Sequence, residues 1–536
     1  MKQYRNITFS ILFGLTLLTS CESMLEVEPE EVLLAEDYLG DDQIDARSAL
    51  FGVLSQMQEV VGQYVVLGEL RADLANVTTS TIDELREVNN HDISADNSYA
   101  DLTTMFSIIN NCNFALEGID TQAYEEELLE DYASILRIRT WAQMQILINY
   151  GKLPYITKPI RTSDDLDDTY PLLSFDEGID QLIANLQGVM NVENVSKYAG
   201  SLGFEIFKMI PDQFVLLGDL NLWKGNNTQA ATYYMFFLNK AMFDGRNYNL
   251  SSNTITVTEN NGNHTYSDGW ADIFDESVST NEVIDYVAFS EQYRQPNNSF
   301  EVVTKQLQAS TSIITNWNSQ SMGYEGEAVE DNKDVRAELS ATIEATEPLI
   351  SKYQYEYFSW TRVAKVYLRY AEAINYAGHP EQALAIVNGI FNNPNVDPVD
   401  APIFENEEWY LNFDMEVYYT VNNSDEPVSG NLGVRGRAGL APVGLDLDLT
   451  SSTAIEEVGA LILNEAALEL AFEGNRWEDL MRFSIRANNP DILADAVADK
   501  FITSGDAGTG ATIKQKLQNP ENWFLPYTIP DNFVSN

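Results

Sequence analysis

Apolar positions recur along most of the chain with the spacing of helices that bury one face. From Trp360 they fall at i, i+4, i+7, i+8, i+11 and i+14, which predicts a helix that ends at Gly378. Pro380 then opens a second helix. Its predicted buried positions are Ala383, Val387 and Ile390. A connection this short makes the two helices antiparallel neighbours.

An earlier segment has the same plan, with one helix opened by Pro211 and ended by Gly225 and another directly after it. The apolar positions are Phe214, Leu217, Leu220 and Trp223 in the first helix and Ala231, Tyr234, Met235, Leu238 and Met242 in the second. Such pairs resemble tetratricopeptide packing, although the strict ~34-residue period of that repeat does not recur. Further helices are predicted near 101–117, 125–150, 175–189 and 455–483.

Stretches of another character lie between the helix pairs. Residues 244–345 are rich in Asn, Ser, Gly and Thr, which favours turns over continuous helix. A second insertion opens at Phe391 and runs to about residue 452. The pattern therefore predicts an all-α dominated fold of tetratricopeptide-like helix hairpins with minor β-structure and long irregular insertions, and such insertions usually carry function.

The N-terminus has the pattern of a bacterial lipoprotein signal. Lys2 and Arg5 form a basic start, a short apolar stretch follows, and small residues precede Cys21. We expect residues 1–20 to be removed, Cys21 to carry acyl chains and 21–37 to be a flexible acidic tether. The body would then be residues 38–536. The alternative is an ordinary secretory signal with a chance cysteine.

Charge limits the classes of partner. The 536 residues include 31 Lys and Arg against 82 Asp and Glu, a formal net charge of -51. Phosphate backbones and anionic lipid surfaces are bound mainly through Lys and Arg, so we expect no nucleic acid partner. Solubility accounts for the charge, and a role in binding cations is the alternative.

The sequence offers little material for catalysis. The three histidines, His91, His264 and His379, are far apart and form no HExxH motif, and GxSxG and GxxxxGK[ST] are absent. Residues 164–168 lack the glycine and spacing of an EF-hand. Among 82 acidic groups a pair of carboxylates is uninformative. We therefore predict no enzyme activity, no metal and no cofactor.

One acidic ladder stands out, with carboxylates at every fourth position. Its members are Glu465, Glu469 and Glu473, and Arg476, Asp479 and Arg482 follow. The aromatic residues nearby indicate a segment packed inside the protein, where charges persist only when paired and hydrogen-bonded. We predict a buried ionic clasp formed by these six residues. An exposed acidic face is the alternative.

These residues resemble the C-terminal pattern of the SusD/RagB family of outer-membrane nutrient-binding lipoproteins. Glu465, Glu469-Leu470, Glu473-Gly474-Asn475-Arg476 and Asp479-Leu480-Met481-Arg482 match its Glu-Arg, Glu-Leu, Glu-Gly-x-Arg and Asp-Leu-x-Arg motifs. Ala466 stands where the family usually has Arg, so one clasp partner must come from elsewhere. "WTRVAKVYLRYAEAINYAG", "LRIRTWAQMQILINYGKLPYI", "GVRGRAGL" and "NWFLPYTIPDNFVSN" resemble other family segments in the same order.

The resemblance implies a right-handed array of hairpins, with an N-terminal part at about 38–245 and a C-terminal part at about 270–536. It implies a lipid-anchored, surface-exposed outer-membrane protein. Such a protein captures an oligosaccharide or a peptide and hands it, as a hinged lid, to a SusC-like TonB-dependent transporter. A tetratricopeptide-type envelope scaffold and a secreted glycoside hydrolase are the alternatives.

The resemblance also implies a pocket in which aromatic rings and polar side chains bind the ligand. The candidates from the loops are Asn90, His91, Asp92, Tyr293, Arg294, Trp317 and Tyr324. For each of them, packing beneath a long loop is the structural alternative. No Trp or Tyr lies between Asn90 and Tyr99, so a starch-like stacking arc is not evident.

Overall fold

A computed structural model of the chain describes residues 43–119, 127–192, 206–243, 248, 250, 253–260, 263–275, 280–289, 298–324, 327–329, 333–353, 357–389, 408–411 and 433–535. Helices dominate these residues and the strands are short, which confirms the predicted all-α dominated class. Among the described helices, none is both long enough and apolar enough to cross a membrane.

The first half of the chain is a run of helices with three short strands. It contains α1 (Gln43–Met57), α2 (Val61–Val65), β1 (Ala75–Val77), α3 (Asp83–Asn89), α4 (Thr103–Gly118), α5 (Glu127–Tyr150), β2 (Lys152–Pro154), β3 (Tyr170–Ser174), α6 (Phe175–Gln187), α7 (Gln213–Lys224) and α8 (Asn227–Phe243). A π-helical turn, Val66–Leu70, continues α2. From α4 to α8 each helix packs against the next, as in stacked helix hairpins.

The predicted hairpin of α7 and α8 is confirmed. Asp212 caps α7 by accepting two backbone N–H bonds of 2.8 and 3.2 Å, so the helix begins two residues after Pro211. Gly225 ends it in the left-handed conformation. A Cβ atom on Gly218 would lie 2.5 Å from the ring of Tyr234 on α8. Glycine at this position therefore lets the two helices approach closely.

The second half mixes short strands with helices. It contains β4 (Ile255–Asn260), β5 (Asn263–Asp268), β6 (Val283–Ala288), α9 (Asn298–Gln306), β7 (Leu307–Ala309), α10 (Thr311–Ser319), β8 (Met322–Tyr324), β9 (Glu327–Val329), α11 (Arg336–Ser340), β10 (Tyr357–Arg362), α12 (Val363–Tyr376), α13 (Pro380–Asn388), α14 (Gly433–Arg437), α15 (Ala454–Glu469), α16 (Arg476–Arg486), α17 (Asp491–Thr503), α18 (Ala507–Leu517) and β11 (Phe533–Val534). Short 3₁₀ turns lie at Ser98–Ala100, Asp164–Asp167, Ile206–Met209, Ala271–Phe274, Trp409–Leu411 and Pro520–Trp523. Most of the second predicted insertion lies outside the described residues.

The strands form small sheets that join distant segments. β1 pairs with β7, β6 with β10, β4 with β5 and β8 with β9, all antiparallel. β3 lies between β2, which is antiparallel to it, and β11, which is parallel. β11, near the C-terminus, is therefore held by β3, the strand that follows the loop after β2.

The helix predicted to begin at Trp360 begins at Val363 instead. Trp360 belongs to β10, which pairs with β6, and its buried indole packs on Trp141 with ring centroids 4.8 Å apart. Strand pairing and aromatic packing therefore outweigh the helical spacing at this point. The next helix begins at Pro380 as predicted, and Ile390 lies outside the described residues.

The prediction of one continuous helix near 455–483 is wrong, because two helices, α15 and α16, occupy this range. Between α15 and α16, Phe472 and Gly474 adopt the left-handed conformation, with φ of 68° and 84°. A Cβ atom on Gly68 would lie 2.0 Å from the carbonyl oxygen of Gly474, so this break packs directly on the π-helical turn. The Glu69 carboxylate accepts the backbone N–H groups of Phe472 and Gly474, at 3.1 and 2.7 Å. Those bonds replace the ones that a continuous helix would make.

Two large apolar clusters form most of the core of the described residues, and a small third one contains Ala133, Leu136 and Val189. The larger one joins α1, α4 and α5 to α16, α17 and α18, so the N-terminal and C-terminal segments share it. The other large cluster fills the space between α7, α8, α12, α13 and α15. Both large clusters depend on contacts between segments that are far apart in the chain.

Candidate functional site

The acidic ladder is buried. Glu465 and Glu469 lie on α15, and Glu473 lies in the break that follows it. Their exposed fractions are 1%, 0% and 3%. None of the three lies on an exposed face, so each charge must be compensated inside the protein.

Cations from four other segments compensate the ladder. Arg362 Nη1 lies 2.5 Å from Glu469 Oε1, and Arg362 Nε lies 2.8 Å from Glu473 Oε2. The ion-pair network as a whole comprises Arg336, Lys352, Arg362, Arg435 and Arg437 with Glu282, Asp334, Glu465, Glu469 and Glu473. Five cations therefore meet five carboxylates, and the formal charges cancel.

Neighbouring cations lower the pKa of two of the ladder carboxylates. Burial by itself would raise the pKa of Glu469, but the guanidinium groups of Arg437, Arg362 and Arg336 hold that pKa well below its usual range. Burial would also raise the pKa of Glu473, but Arg362 and Lys352 lower it. Because the network is enclosed by protein, it fastens segments of the scaffold together and offers no charged group to a ligand.

The other residues of the predicted clasp pair elsewhere. Arg476 forms two bonds to Asp73, of 2.7 and 2.9 Å. Arg482 bonds both oxygens of Glu372, at 2.8 and 2.7 Å, and Asp479 at 2.7 Å. The six residues named from the sequence therefore belong to three separate groups of ion pairs.

Sequence reasoning missed the cations that meet the ladder. Arg435 and Arg437 stand in "GVRGRAGL" and Arg362 stands in "WTRVAK", segments that resemble the family but were not connected with the ladder. Arg336 and Arg435 donate to the two oxygens of Glu465, at 2.9 and 2.6 Å. The chain has only 31 Lys and Arg, so Arg336, Arg362, Arg435 and Arg437 were the available signal for the partners of the buried carboxylates.

The three predicted ligand residues after α3 differ in exposure. Asn90 and Asp92 are exposed, whereas His91 between them is buried with φ of 56°. His91 Nε2 lies 2.8 Å from the carbonyl oxygen of Arg71, and its ring packs on Trp477 with centroids 5.4 Å apart. Burial and the neighbouring cations hold the pKa of His91 well below its usual range. The neutral His91 ring is therefore part of the core.

The remaining candidates lie in different parts of the chain. Trp317 has no exposed surface, and its Nε1 donates to the carbonyl oxygen of Leu468 at 3.2 Å. Tyr324 ends β8, but its side chain lies outside what the structure describes. Tyr293, Arg294 and Cys21 lie outside the described residues.

A surface cleft lies a few residues beyond Asp92 on the same loop. It has a volume of about 650 Å³ and four walls, formed by residues 95–102, α4, residues 154–166 and residues 526–533. The lining residues are Ala95, Asp96, Ala100, Asp101, Leu102, Thr103, Phe106, Ser107, Ile109, Asn110, Asn113, Pro154, Ile156, Ile160, Leu166, Pro526, Tyr527, Thr528, Pro530 and Phe533. Sites for small ligands typically have volumes of roughly 300–1,000 Å³ and mostly apolar linings, so this cleft is the candidate binding site.

Side-chain amides hold the walls together. Asn110 exchanges two hydrogen bonds with the backbone of Ile160, of 2.7 and 3.1 Å. Asn113 donates to two more carbonyl groups of that wall, at 3.2 Å each. Asn532 donates to the carbonyl oxygen of Leu166 at 2.8 Å. The cleft is therefore built before a ligand arrives, and these amides are already in use.

The cleft combines aromatic rings, hydroxyl groups and two carboxylates. Tyr527 packs edge-on against Tyr150, and its hydroxyl group is buried without a hydrogen-bond partner among the described residues. Burial raises the pKa of Tyr527 to about 12, so the hydroxyl group is a donor at neutral pH. Phe106 and Phe533 supply further rings. No group of three or more His, Cys, Asp and Glu side chains in the described part of the chain could hold a metal ion.

No residue of the cleft was named from the sequence as a ligand contact. Tyr527 and Phe533 stand in the terminal segment "NWFLPYTIPDNFVSN", where aromatic residues and prolines alternate, and this was the available signal. The cleft brings that segment against α4, about four hundred residues earlier. Residue spacing along the chain does not reveal such a contact.

Comparisons with known proteins agree with the predicted family. A model described as the SusD family matches residues 415–535. The SusD-like protein P38 of Formosa agariphila is 23% identical over 511 residues, which cover 90% of this chain and 92% of that protein. A SusD superfamily protein of Bacteroides thetaiotaomicron matches with a TM-score of 0.58 at 18% identity, covering 88% of this chain and 96% of that one. A laminarin-binding SusD-like protein matches with a TM-score of 0.53 at 14% identity, covering 89% and 98%.

Proposed function

We propose, since the chain belongs to the SusD/RagB family, that it is a cell-surface nutrient-binding lipoprotein. It captures an oligosaccharide or a peptide and delivers it to a SusC-like TonB-dependent transporter, over which it acts as a hinged lid. It needs no cofactor and performs no catalytic step.

The cleft is the observation that carries this proposal. Its size suits a small ligand, its walls are held by side-chain amides, and its lining combines rings with hydroxyl groups. Rings give sugars an apolar face to stack on, and such contacts are weak enough for a ligand that must be released. The laminarin-binding neighbour of similar fold favours a sugar as the ligand.

The N-terminal pattern supports the location. Acyl chains on Cys21 would anchor the protein at the outer membrane, because each buried methylene contributes ~0.8 kcal/mol and several chains act together. A tether over 21–37 would let the body swing as a rigid unit. The helices from α4 to α8 pack one against the next, and we expect this stacked array to provide the surface that docks on the transporter.

The test is a binding assay with a blocked cleft. Purified protein is titrated calorimetrically with a panel of neutral and charged oligosaccharides and with peptides. Thr528→Trp places an indole in the cleft from an exposed position and should abolish binding. Thr512→Trp, on an exposed face of α18 outside the cleft, is the matched control and should bind as the unmodified protein does. Equal binding by both variants would exclude the cleft.

A second experiment tests delivery. The acylated protein is extracted from outer membranes in mild detergent and captured through a C-terminal tag. A large β-barrel transporter should accompany it. Capture of a soluble envelope protein instead would favour the scaffold, and release of reducing ends from mixed glycans would favour a hydrolase.

A further inference from the structure

We propose that the cleft selects against negative charge, so that its ligand is an uncharged stretch of oligosaccharide and not a sulfated or uronic acid glycan. This inference rests on the proposed function, because it takes the cleft as the nutrient site. It names the chemical class of the ligand from the charges and polar groups of the walls.

The lining carries charge of one sign only. Asp96 and Asp101 are both exposed, and the described residues that line the cleft include no Lys, Arg or His. A protein that binds sulfates or carboxylates normally supplies Arg or Lys for them, because those side chains donate several charge-assisted hydrogen bonds. An anionic ligand would meet two carboxylates here with no cation of the lining to compensate them.

Two arginines behind or beside the walls already have partners. Arg139 is 8% exposed and donates to Asn113 Oδ1 at 2.8 Å. Arg161 pairs with Glu117, and its guanidinium group lies over the ring of Phe114 at 5.2 Å from the centroid. Lys158 is exposed on the same segment but does not line the cleft. With a formal net charge of -51, the rest of the molecule adds to the repulsion.

The polar groups left for a ligand suit neutral hydroxyl groups. Thr528 lines the cleft and is exposed, so its hydroxyl group can donate to a sugar oxygen. Asp96 can accept from sugar hydroxyl groups, as carboxylates accept from neutral donors. The rings of Phe106 and Phe533 offer apolar faces to the C–H faces of pyranose rings.

An extended peptide is the less suitable occupant. Extended peptides that bind by strand addition bond main chain to main chain. Pro154, Pro526 and Pro530 have no backbone N–H group, so three positions of the walls offer no such donor. The paired edge between β3 and β11 is also already closed.

The experiment compares ligands that differ only in charge. Full-length protein is titrated with a neutral glucan hexasaccharide, the same hexasaccharide oxidised to the uronic acid form, and its sulfated form. We expect the two anionic forms to bind at least tenfold more weakly at low salt. That difference should shrink in 1 M NaCl, where the screening length falls to ~3 Å. Thr528→Val, which removes only the hydroxyl group, should weaken binding of the neutral hexasaccharide several-fold.

Two charge-reversed variants locate the effect. Asp96→Lys should narrow the difference in affinity between neutral and anionic forms, whereas Asp83→Lys, exposed at the start of α3 and outside the lining, should leave that difference nearly unchanged. Anionic binding as tight as neutral binding would overturn the charge rule while leaving the proposed function intact. If the protein binds a cationic peptide and no glycan, the proposal that its ligand is an oligosaccharide is wrong. Absence of binding to every member of the panel would overturn both proposals.

Discussion

The guanidinium group of Arg362 lies 2.5 Å from the carboxylate of Glu469, although 107 residues separate them in the chain. Arg362 is the last residue of β10, and Glu469 is the last residue of α15. The pair therefore fixes the end of a strand against the end of a helix. Each charge is fully buried, so either partner alone would be an uncompensated ion in the core.

Removing the Glu469 charge should destabilise the protein strongly. Glu469→Gln keeps the shape of the side chain but leaves the guanidinium groups of Arg362 and Arg437 without their shared acceptor charge. Breaking a buried pair typically costs about 3–5 kcal/mol in the free energy of unfolding, measurable by urea titration. Glu457→Gln, exposed on the same helix, should change it by less than about 0.5 kcal/mol. Similar values for both variants would contradict the role assigned to the network.

Gly474→Ala should also be costly, because the break after α15 requires glycine. Gly474 has φ of 84°, and a Cβ atom there would lie 2.3 Å from the ring of Tyr64. Left-handed backbone costs a residue with a Cβ atom about 1–2 kcal/mol, and overpacking adds about 1–3 kcal/mol. The midpoint of thermal unfolding should fall clearly. Gly52→Ala on α1 has open space around it, so an unchanged or higher midpoint is expected there.

Glu372 should contribute to stability in a pH-dependent way. Burial alone would raise its pKa, but Arg482 and Arg486 lower it to about 2, from 4.5 in an unperturbed chain. Because the folded pKa is the lower one, the contribution is complete above about pH 4.5 and is lost as the pH falls towards 2. A shift of this size corresponds to about 3 kcal/mol. Urea titrations between pH 6 and 2 should show this loss in the unmodified protein.

Glu372→Gln is the test of that assignment. The variant lacks the titrating group, so the difference in unfolding free energy between the two proteins should shrink as the pH falls below about 4.5. Glu456→Gln, an exposed carboxylate on α15, serves as the control and should follow the unmodified protein throughout. A constant difference between Glu372→Gln and the unmodified protein across this range would show that the Arg482 pair does not control acid stability.

Helical spacing predicted the hairpins well because it reports local burial. Gly225 and Pro380 mark helix ends through backbone geometry, which is a property of the residue itself. Trp360 shows the limit, because it has helical spacing but belongs to a strand whose partner lies about seventy residues away. The break at Gly474 likewise depends on the π-helical turn about four hundred residues earlier.

The site was less accessible to sequence reasoning than the fold. Trp317 looked like a ligand contact because it is aromatic and stands in a polar segment, yet its indole is wholly buried beneath that segment. Tyr527 lines the cleft only because the terminal segment packs near α4, so the alternation of aromatic residues and prolines around it was a weaker signal. Solvent exposure and tertiary contacts decide which aromatic residues can contact a ligand, and neither can be predicted from the local amino-acid composition.

Replacing Cys21 should release the protein from the membrane. If Cys21 carries the acyl chains, Cys21→Ser should take up no radiolabelled palmitate and should move from the membrane pellet to the soluble fraction, because several chains at ~0.8 kcal/mol per buried methylene provide the anchor. Cys112→Ala is the matched control: Cys112 is a buried free thiol, so this variant should keep the label and the membrane fraction. Protease added to whole cells should digest the unmodified protein. If the unmodified protein takes up no palmitate, the N-terminus is an ordinary secretory signal. The lipid-anchored tether that a hinged lid requires would then be absent.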